Sequence, residues 1–387
     1  MKQFKTGKGG DFIVASAVSA TVSPVSAMAV GSLPGADAEA ALDLFRRYTP
    51  RVLAWPQLPQ RSSLEDMFLQ FTEGLPGIVP GHKPRVLTDW DLLSPQLEEF
   101  YLRYLAIADG DPDALESFAV SAGYAAGLRL FLDSPLPSPV TEIKGQVTGP
   151  LSMGLALMDG SGRAAYYNEA LKDALVKGLA LKARWQAERL MFKAREAGLP
   201  GACAATRVAT GGETASGLPS PVIVFIDEPS LTYFGSSSFA TLDRNTIVAD
   251  LDECLAAVHA AGARGGIHCC ANTDASLVMS STTDLIHLDV YDFPETLYLY
   301  PRELAAFLGR GGTVSWGIVP NRAAREDVQS LRRRLDRIAG RLAQAGVSPS
   351  LLRPRYISTA CGLGGAGPAE AENALALAHE LAAALAD

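Results

Sequence analysis

Short runs of β-branched and other apolar residues alternate along this chain with long stretches in which Ala, Leu, Arg and Glu recur at helical spacing. Eight of the short runs read as strands: SAMAV at 26–30, RVLAW at 51–55, EIKGQV at 142–147, VIVFI at 222–226, GGIHC at 265–269, LIHLD at 285–289, TVSWGIV at 313–319 and RYIST at 355–359. Between them lie helical patterns such as ALDLFRRY (41–48), the long stretch 166–198, VADLDECLAAVHAAG (248–262) and REDVQSLRRRLDRIAGRLAQAG (325–346), with ENALALAHELAAALA (372–386) closing the series. A strand followed by a helix, repeated, is the signature of βα units around a parallel sheet. Eight such units predict a (β/α)8 TIM barrel, residues 1–387 forming one domain. A doubly wound sheet would carry a Gly-rich dinucleotide turn after its first strand, and none is present.

Two connections exceed a simple crossover. Residues 56–141, between strands 2 and 3, hold polar turns and at least two helical patterns and are expected to form a helical excursion or lid over the barrel mouth. Residues 201–220 are small, polar and Gly-rich and read as a flexible loop in which Cys203 is incidental. Composition narrows the function classes. Hydrophobic residues at 48% and charged residues at 20% supply a substantial core. A net charge of −8 argues against nucleic acid as a partner, and no apolar run is long enough to span a membrane. Residues 1–25 combine three lysines with an apolar stretch broken by Gly9-Gly10-Asp11 and Pro24, which reads as a leader entering the first strand rather than a cleaved signal. Five cysteines, two of them adjacent, do not make a disulfide framework and point to a reduced, cytoplasmic setting.

Chemistry in such barrels collects at the C-terminal strand ends. Those ends read Gly31-Ser32, Trp55-Pro56, Thr148-Gly149-Pro150, Asp227-Glu228-Pro229, His268-Cys269-Cys270, Asp289-Val290, Val319-Pro320 and Cys361-Gly362. His268 and Cys270 are one residue apart in an extended run and so share a face, whereas Cys269 points the other way and is expected in the core. With Cys361 from strand 8 and Asp289 from strand 6 they make a soft N/S donor set suited to tetrahedral Zn2+. Asp227 and Glu228 beside such a metal suggest contacts to a substrate ammonium. Gly31 and Ser32 offer backbone N–H groups and a hydroxyl to a carboxylate. His287, Asp292, His82, His259 and His379 read as structural.

These motifs resemble the uroporphyrinogen decarboxylase and cobalamin-independent methionine synthase superfamily of (β/α)8 barrels. The likeness is carried by Gly31-Ser32-Leu33-Pro34, Val147-Thr148-Gly149-Pro150, Ile226-Asp227-Glu228-Pro229-Ser230-Leu231, His268-Cys269-Cys270-Ala271-Asn272-Thr273 and Cys361-Gly362-Leu363, in the family's order along nearly the whole chain. It is closest to the synthase's C-terminal catalytic barrel and to the zinc-dependent thiol methyltransferases. The resemblance implies that His268, Cys270 and Cys361 bind zinc and that Asp227 contacts the amino group of an amino-acid thiol, homocysteine by preference. The synthase's further ligand is a glutamate, where this chain has the shorter Asp289. The chain is too short for the second barrel that helps hold polyglutamated folate, so the implied methyl donor is another one, a methylated corrinoid or its carrier protein. Two alternatives stand beside this reading. One is a metal-free decarboxylase-like lyase, whose N-terminal arginine-rich motif is replaced here by Trp55-Pro56-Gln57-Leu58-Pro59. The other is a non-catalytic zinc- or corrinoid-binding protein.

Overall fold

Each of the eight apolar runs forms a strand. They are β1 (Ser26–Ala27), β2 (Val52–Ala54), β3 (Glu142–Thr148), β4 (Val222–Asp227), β5 (Arg264–Cys269), β6 (Leu285–Asp289), β7 (Thr313–Val319) and β8 (Tyr356–Thr359). In the computed structural model, which describes residues 24–79, 85–111, 113–202, 219–322 and 325–386, they make one eight-stranded sheet in the order β1-β8-β7-β6-β5-β4-β3-β2. Every pairing in it is parallel. A parallel bridge between Met28 and Val52 joins the two ends, and the sheet becomes a TIM-type barrel with its seam between β1 and β2. Such strands are covered outside by helices and inside by one another's side chains, so they are apolar or hydrogen-bonded along their whole length. VIVFID in β4 and RGGIHC in β5 are accordingly buried at every position.

The helices follow from the spacing of their buried residues. α1 (Ala38–Tyr48) is capped by Asp37, which accepts from Glu39 N and Ala40 N, and it buries Ala41, Leu42 and Phe45. After β3 come α4 (Pro150–Ala156) and the 28-residue α5 (Glu169–Glu196). α6 (Arg244–Ala260), α7 (Ala275–Ser280), α8 (Glu295–Tyr298) and α9 (Pro301–Gly309) continue the ring. α10 (Val328–Gln344) starts at a reciprocal Asp327–Ser330 cap and turns Leu331, Leu335, Ile338 and Leu342 inward. α11 (Pro368–Ala386) completes it. No helix among the described residues is long and apolar enough to cross a membrane.

The insertion between β2 and β3 is helical, as its pattern suggests. It holds a short ribbon pairing Ile78–Val79 with Arg85–Val86, then α2 (Trp90–Ala108) and α3 (Ala126–Asp133). Hydrogen bonds tie it down. Gln57 Nε2 donates to Gln70 Oε1 (2.8 Å), Gln70 Nε2 to the Tyr124 carbonyl (2.9 Å), and Thr148 Oγ1 at the end of β3 to the Met67 carbonyl (2.6 Å). Nearly all of the leader 1–25, most of the loop 201–220, His82 and Cys203 lie outside the described residues.

The two barrel ends treat charge differently. At the N-terminal end the Glu142 carboxylate accepts from Arg264 (2.5 Å), Arg355 (2.8 Å) and the Tyr356 hydroxyl (2.9 Å). Burial alone would raise its pKa, but the two guanidinium groups outweigh burial and hold it below the usual carboxylate range. Further up the barrel, Lys144 Nζ donates to the Val30 carbonyl (2.5 Å) and to Gln146 Oε1 (3.1 Å).

Two glycines test how tightly this frame is packed. A Cβ on Gly145 in β3 would stand 1.9 Å from Gln186 Oε1, which already accepts from Trp55 Nε1 and Gln146 N. Gly145→Ala should therefore lower stability by about 1–3 kcal/mol, read as a lower urea midpoint at unchanged m-value. Gly340, exposed within α10, meets nothing within 4 Å, and Gly340→Ala should raise stability by about 0.5–1 kcal/mol.

Candidate metal centre and its cavity

The strand register builds one row of side chains across the barrel mouth. Thr148 of β3 pairs with Asp227 of β4, Asp227 with His268 of β5, His268 with His287 of β6, and His287 with Ser315 of β7. Cys270 follows the end of β5 and Cys361 follows the end of β8. A ring nitrogen of His268, Cys270 Sγ and Cys361 Sγ lie within 4.8 Å of one another, and His268 Nε2 stands 3.8 Å from the Cys361 sulfur. Tetrahedral zinc with its usual bond lengths sets S···N edges of about 3.6 Å and S···S edges of about 3.8 Å. Two sulfurs and an imidazole nitrogen at this spacing therefore fit a soft divalent ion with little movement.

Backbone geometry at this point is unusual. Ala271, immediately after Cys270, has a φ of 66°. A left-handed non-glycine residue costs on the order of 1–2 kcal/mol. This kink ends β5 and sends the chain away after the second donor. Cys269, as the alternation requires, is wholly buried in the core, and burial raises its thiol pKa. Cys254 on α6 is likewise a core residue, its sulfur 3.9 Å from the Val176 carbonyl.

The donors are strongly coupled. The hydrogen bond from the Cys361 thiol, with further help from His268, holds Cys270 far below the ordinary thiol range, and the same bond pushes Cys361 up. Burial works against a charged His268, but the bond and charge of Cys270 outweigh it and raise the imidazole. Burial raises Asp227 to about 6 against the pull of His268 and Lys144, and it lowers Lys144 to about 8.

The donors face a cavity of about 260 Å³, at the small end of ligand pockets. Ser32, Gln57, Glu65, Asp66, Asp227 and the Gly362–Gly365 turn contribute to its walls. Its described lining holds three carboxylates and no lysine or arginine. Asp227 is 7% exposed, and its Oδ1 has no hydrogen-bond partner. Ser32 Oγ accepts from Gly364 N (3.2 Å), which leaves its O–H free to donate. Gly31 has a φ of 148°, and a Cβ there would lie 2.9 Å from the Gln146 side chain.

The remaining predicted residues are placed differently. Glu228 is completely buried and accepts from Leu151 N (2.9 Å) and Ser152 N (2.8 Å) at the start of α4, so its carboxylate is committed to the fold. A Cβ on Gly149 would strike it at 2.2 Å. Asp289 lies near enough to Cys270 for its charge to be felt, yet its Oδ1 accepts from Tyr291 N (3.1 Å) and Asp292 N (2.9 Å), and it stands outside the group of three donors. Asp292 is clasped by Arg322, His259 meets Asp284 (2.8 Å) and His379 meets the Tyr48 carbonyl (3.0 Å). Among the residues that the sequence assigns to structure, His287 stands apart, because its Nδ1 is 2.6 Å from Nδ1 of His268. Its parity with Asp289 on β6 was the one available signal.

Substitution separates donors from packing. Cys270→Ser and Cys361→Ser should each lower zinc uptake, measured by mass spectrometry of metal content, while Cys269→Ser should retain it. Protons compete with metal at both thiols and at the imidazole, so zinc affinity should fall as pH drops through the raised His268 range, by about tenfold or more per unit.

The chain matches no protein-family model, and no curated protein matches it significantly. The barrel and its three convergent donors carry the functional reading.

Proposed function

We propose that this protein is a zinc-dependent thiol methyltransferase, similar to a core methionine synthase, with homocysteine as the preferred acceptor and a donor other than polyglutamated folate, a methylated corrinoid or its carrier. One observation carries the reading. Two sulfurs and an imidazole converge on the wall of a small cavity that is also lined by Asp227, a buried carboxylate whose Oδ1 has no hydrogen-bond partner. The metal-free lyase alternative gives that convergence no use.

Bound zinc would lower the pKa of a substrate thiol below its free value of about 8.5, supplying a thiolate nucleophile at neutral pH. His268, Cys270 and Cys361 would hold the ion, and Asp289, whose Oδ1 is engaged by Tyr291 N and Asp292 N, would have to turn toward Cys270 to add a fourth ligand. Asp227 accepts the substrate ammonium at Oδ1, replacing an unsatisfied buried oxygen with a charge-assisted bond. Ser32 donates its hydroxyl hydrogen to the substrate carboxylate. Asp227 and Asp66 in the lining attract the ammonium, and Pro59 and Met67 supply apolar wall that helps orient the bound thiol.

Purified protein should contain near-stoichiometric zinc and convert homocysteine to methionine with methylcobalamin. A protein without the metal, or no rate above background with its native donor supplied, overturns the reading. Asp227→Asn should lower kcat/KM for homocysteine by about 10–100-fold. It should leave 4-mercaptobutanoate, which lacks the amino group, nearly unchanged.

A further inference from the structure

His287 sits 2% exposed in the interior of β6, with both ring nitrogens engaged. Its Nε2 is 3.0 Å from the Thr359 carbonyl, and its Nδ1 is 2.6 Å from His268 Nδ1. These contacts fix where the hydrogens lie. A carbonyl oxygen only accepts, so His287 Nε2 carries the hydrogen of that bond. In a neutral imidazole the other nitrogen is then bare, and His287 Nδ1 accepts. His268 Nδ1 must donate to it, so Nε2 is the nitrogen that exposes a lone pair whenever His268 is neutral. That lone pair is the one that faces Cys361 across 3.8 Å.

We infer that His287 is a positioning residue, holding His268 as the Nδ1–H tautomer and thereby presenting Nε2 to a soft divalent metal shared with Cys270 and Cys361. The inference rests on the metal site of the proposed function. A histidine buried only for packing would satisfy its nitrogens on carbonyls and hydroxyls, but here one nitrogen is satisfied by the donor residue itself. The surroundings are shaped for the ring. A Cβ on Gly317 in β7 would stand 2.5 Å from the Leu288 carbonyl and 3.1 Å from His287 Cε1. The register of β8 on β7 shifts between Ser358 and Thr359, at the carbonyl that receives the His287 hydrogen. His287 thus ties the β5 donor to the strand that delivers Cys361. An outer partner that sets a ligand's tautomer and ring angle contributes substantially to metal affinity.

Zinc affinity of the full chain, measured by chelator competition, tests this. His287→Phe keeps ring volume but removes both hydrogen bonds, and it should weaken zinc binding by about 10–100-fold. His287→Gln, with an amide oxygen for His268 and an amide N–H for Thr359, should recover most of the loss. Nitrogen-15 NMR of the zinc-loaded wild type should show His268 protonated at Nδ1 and His287 at Nε2. That spectrum decides the matter even if His287→Phe does not fold. Zinc binding by His287→Phe within about twofold of wild type, or a His268 ring protonated at Nε2, overturns the assignment. Wild-type protein that takes up no zinc overturns both this assignment and the proposed function. Zinc uptake with the expected tautomers but no methyl transfer overturns the reaction alone.

Discussion

Closure of the parallel barrel is the constraint on which everything at the site depends. β6 and β7 lie between β5 and β8 in the sheet, and in a flat sheet two intervening strands would keep His268 and Cys361 roughly 14 Å apart. Curvature removes that distance. Because all eight strands run the same way, their carboxyl ends share one rim, and inward-pointing side chains from non-adjacent strands meet over the same space. The pleat then selects which residues take part: His268 and Cys270 reach the rim and Cys269 is left in the core.

Electrostatics divides the barrel along its axis. At the N-terminal end the buried carboxylate is matched by two guanidinium groups and a phenol, which leaves little for a ligand to gain there. Higher up, Lys144 lies just behind the cavity wall, bound to the Val30 carbonyl and to Gln146 Oε1, and its charge is felt at Asp227 and His268. The mouth keeps a negative character from Asp227, Asp66 and the Cys270 sulfur, while Glu65 is paired with Arg61. Such a site favours cations, and burial intensifies the preference because water does not screen it. Stability lives at one end and unsatisfied chemistry at the other.

Much of this was legible in the residues. Apolar runs of five to seven residues between helical patterns located all eight strands, since a strand covered on both faces has little choice of composition. The i, i+2 rule separated Cys270 from Cys269 without any structure. Other features depend on three dimensions. Glu228 stood next to Asp227 in sequence and shared its acidity, but the chain turns at Pro229 and directs the two carboxylates to different tasks. Whether an acid meets a helix N-terminus or an open cavity is decided by the following loop, whose path has no period to read. His287 was hidden for a related reason. Its partners are 19 and 72 residues away, and a lone histidine in an apolar strand is usually a satisfied core residue.

The turn after β8 has a consequence for when the site comes into being. Leu363 N donates to the Ser32 carbonyl (2.9 Å) and Gly364 N to the Ser32 hydroxyl, so the segment carrying Cys361 is fastened to the segment after β1. The last strand of the barrel and the first are stitched together beside the third donor. A chain emerging from the ribosome holds His268 and Cys270 long before it holds Cys361, and two donors grip an ion far more weakly than three. The complete donor set exists only after β8 has entered between β1 and β7. Topology thereby withholds the complete donor set from partly made or partly folded chains, so that three convergent donors mark a finished barrel.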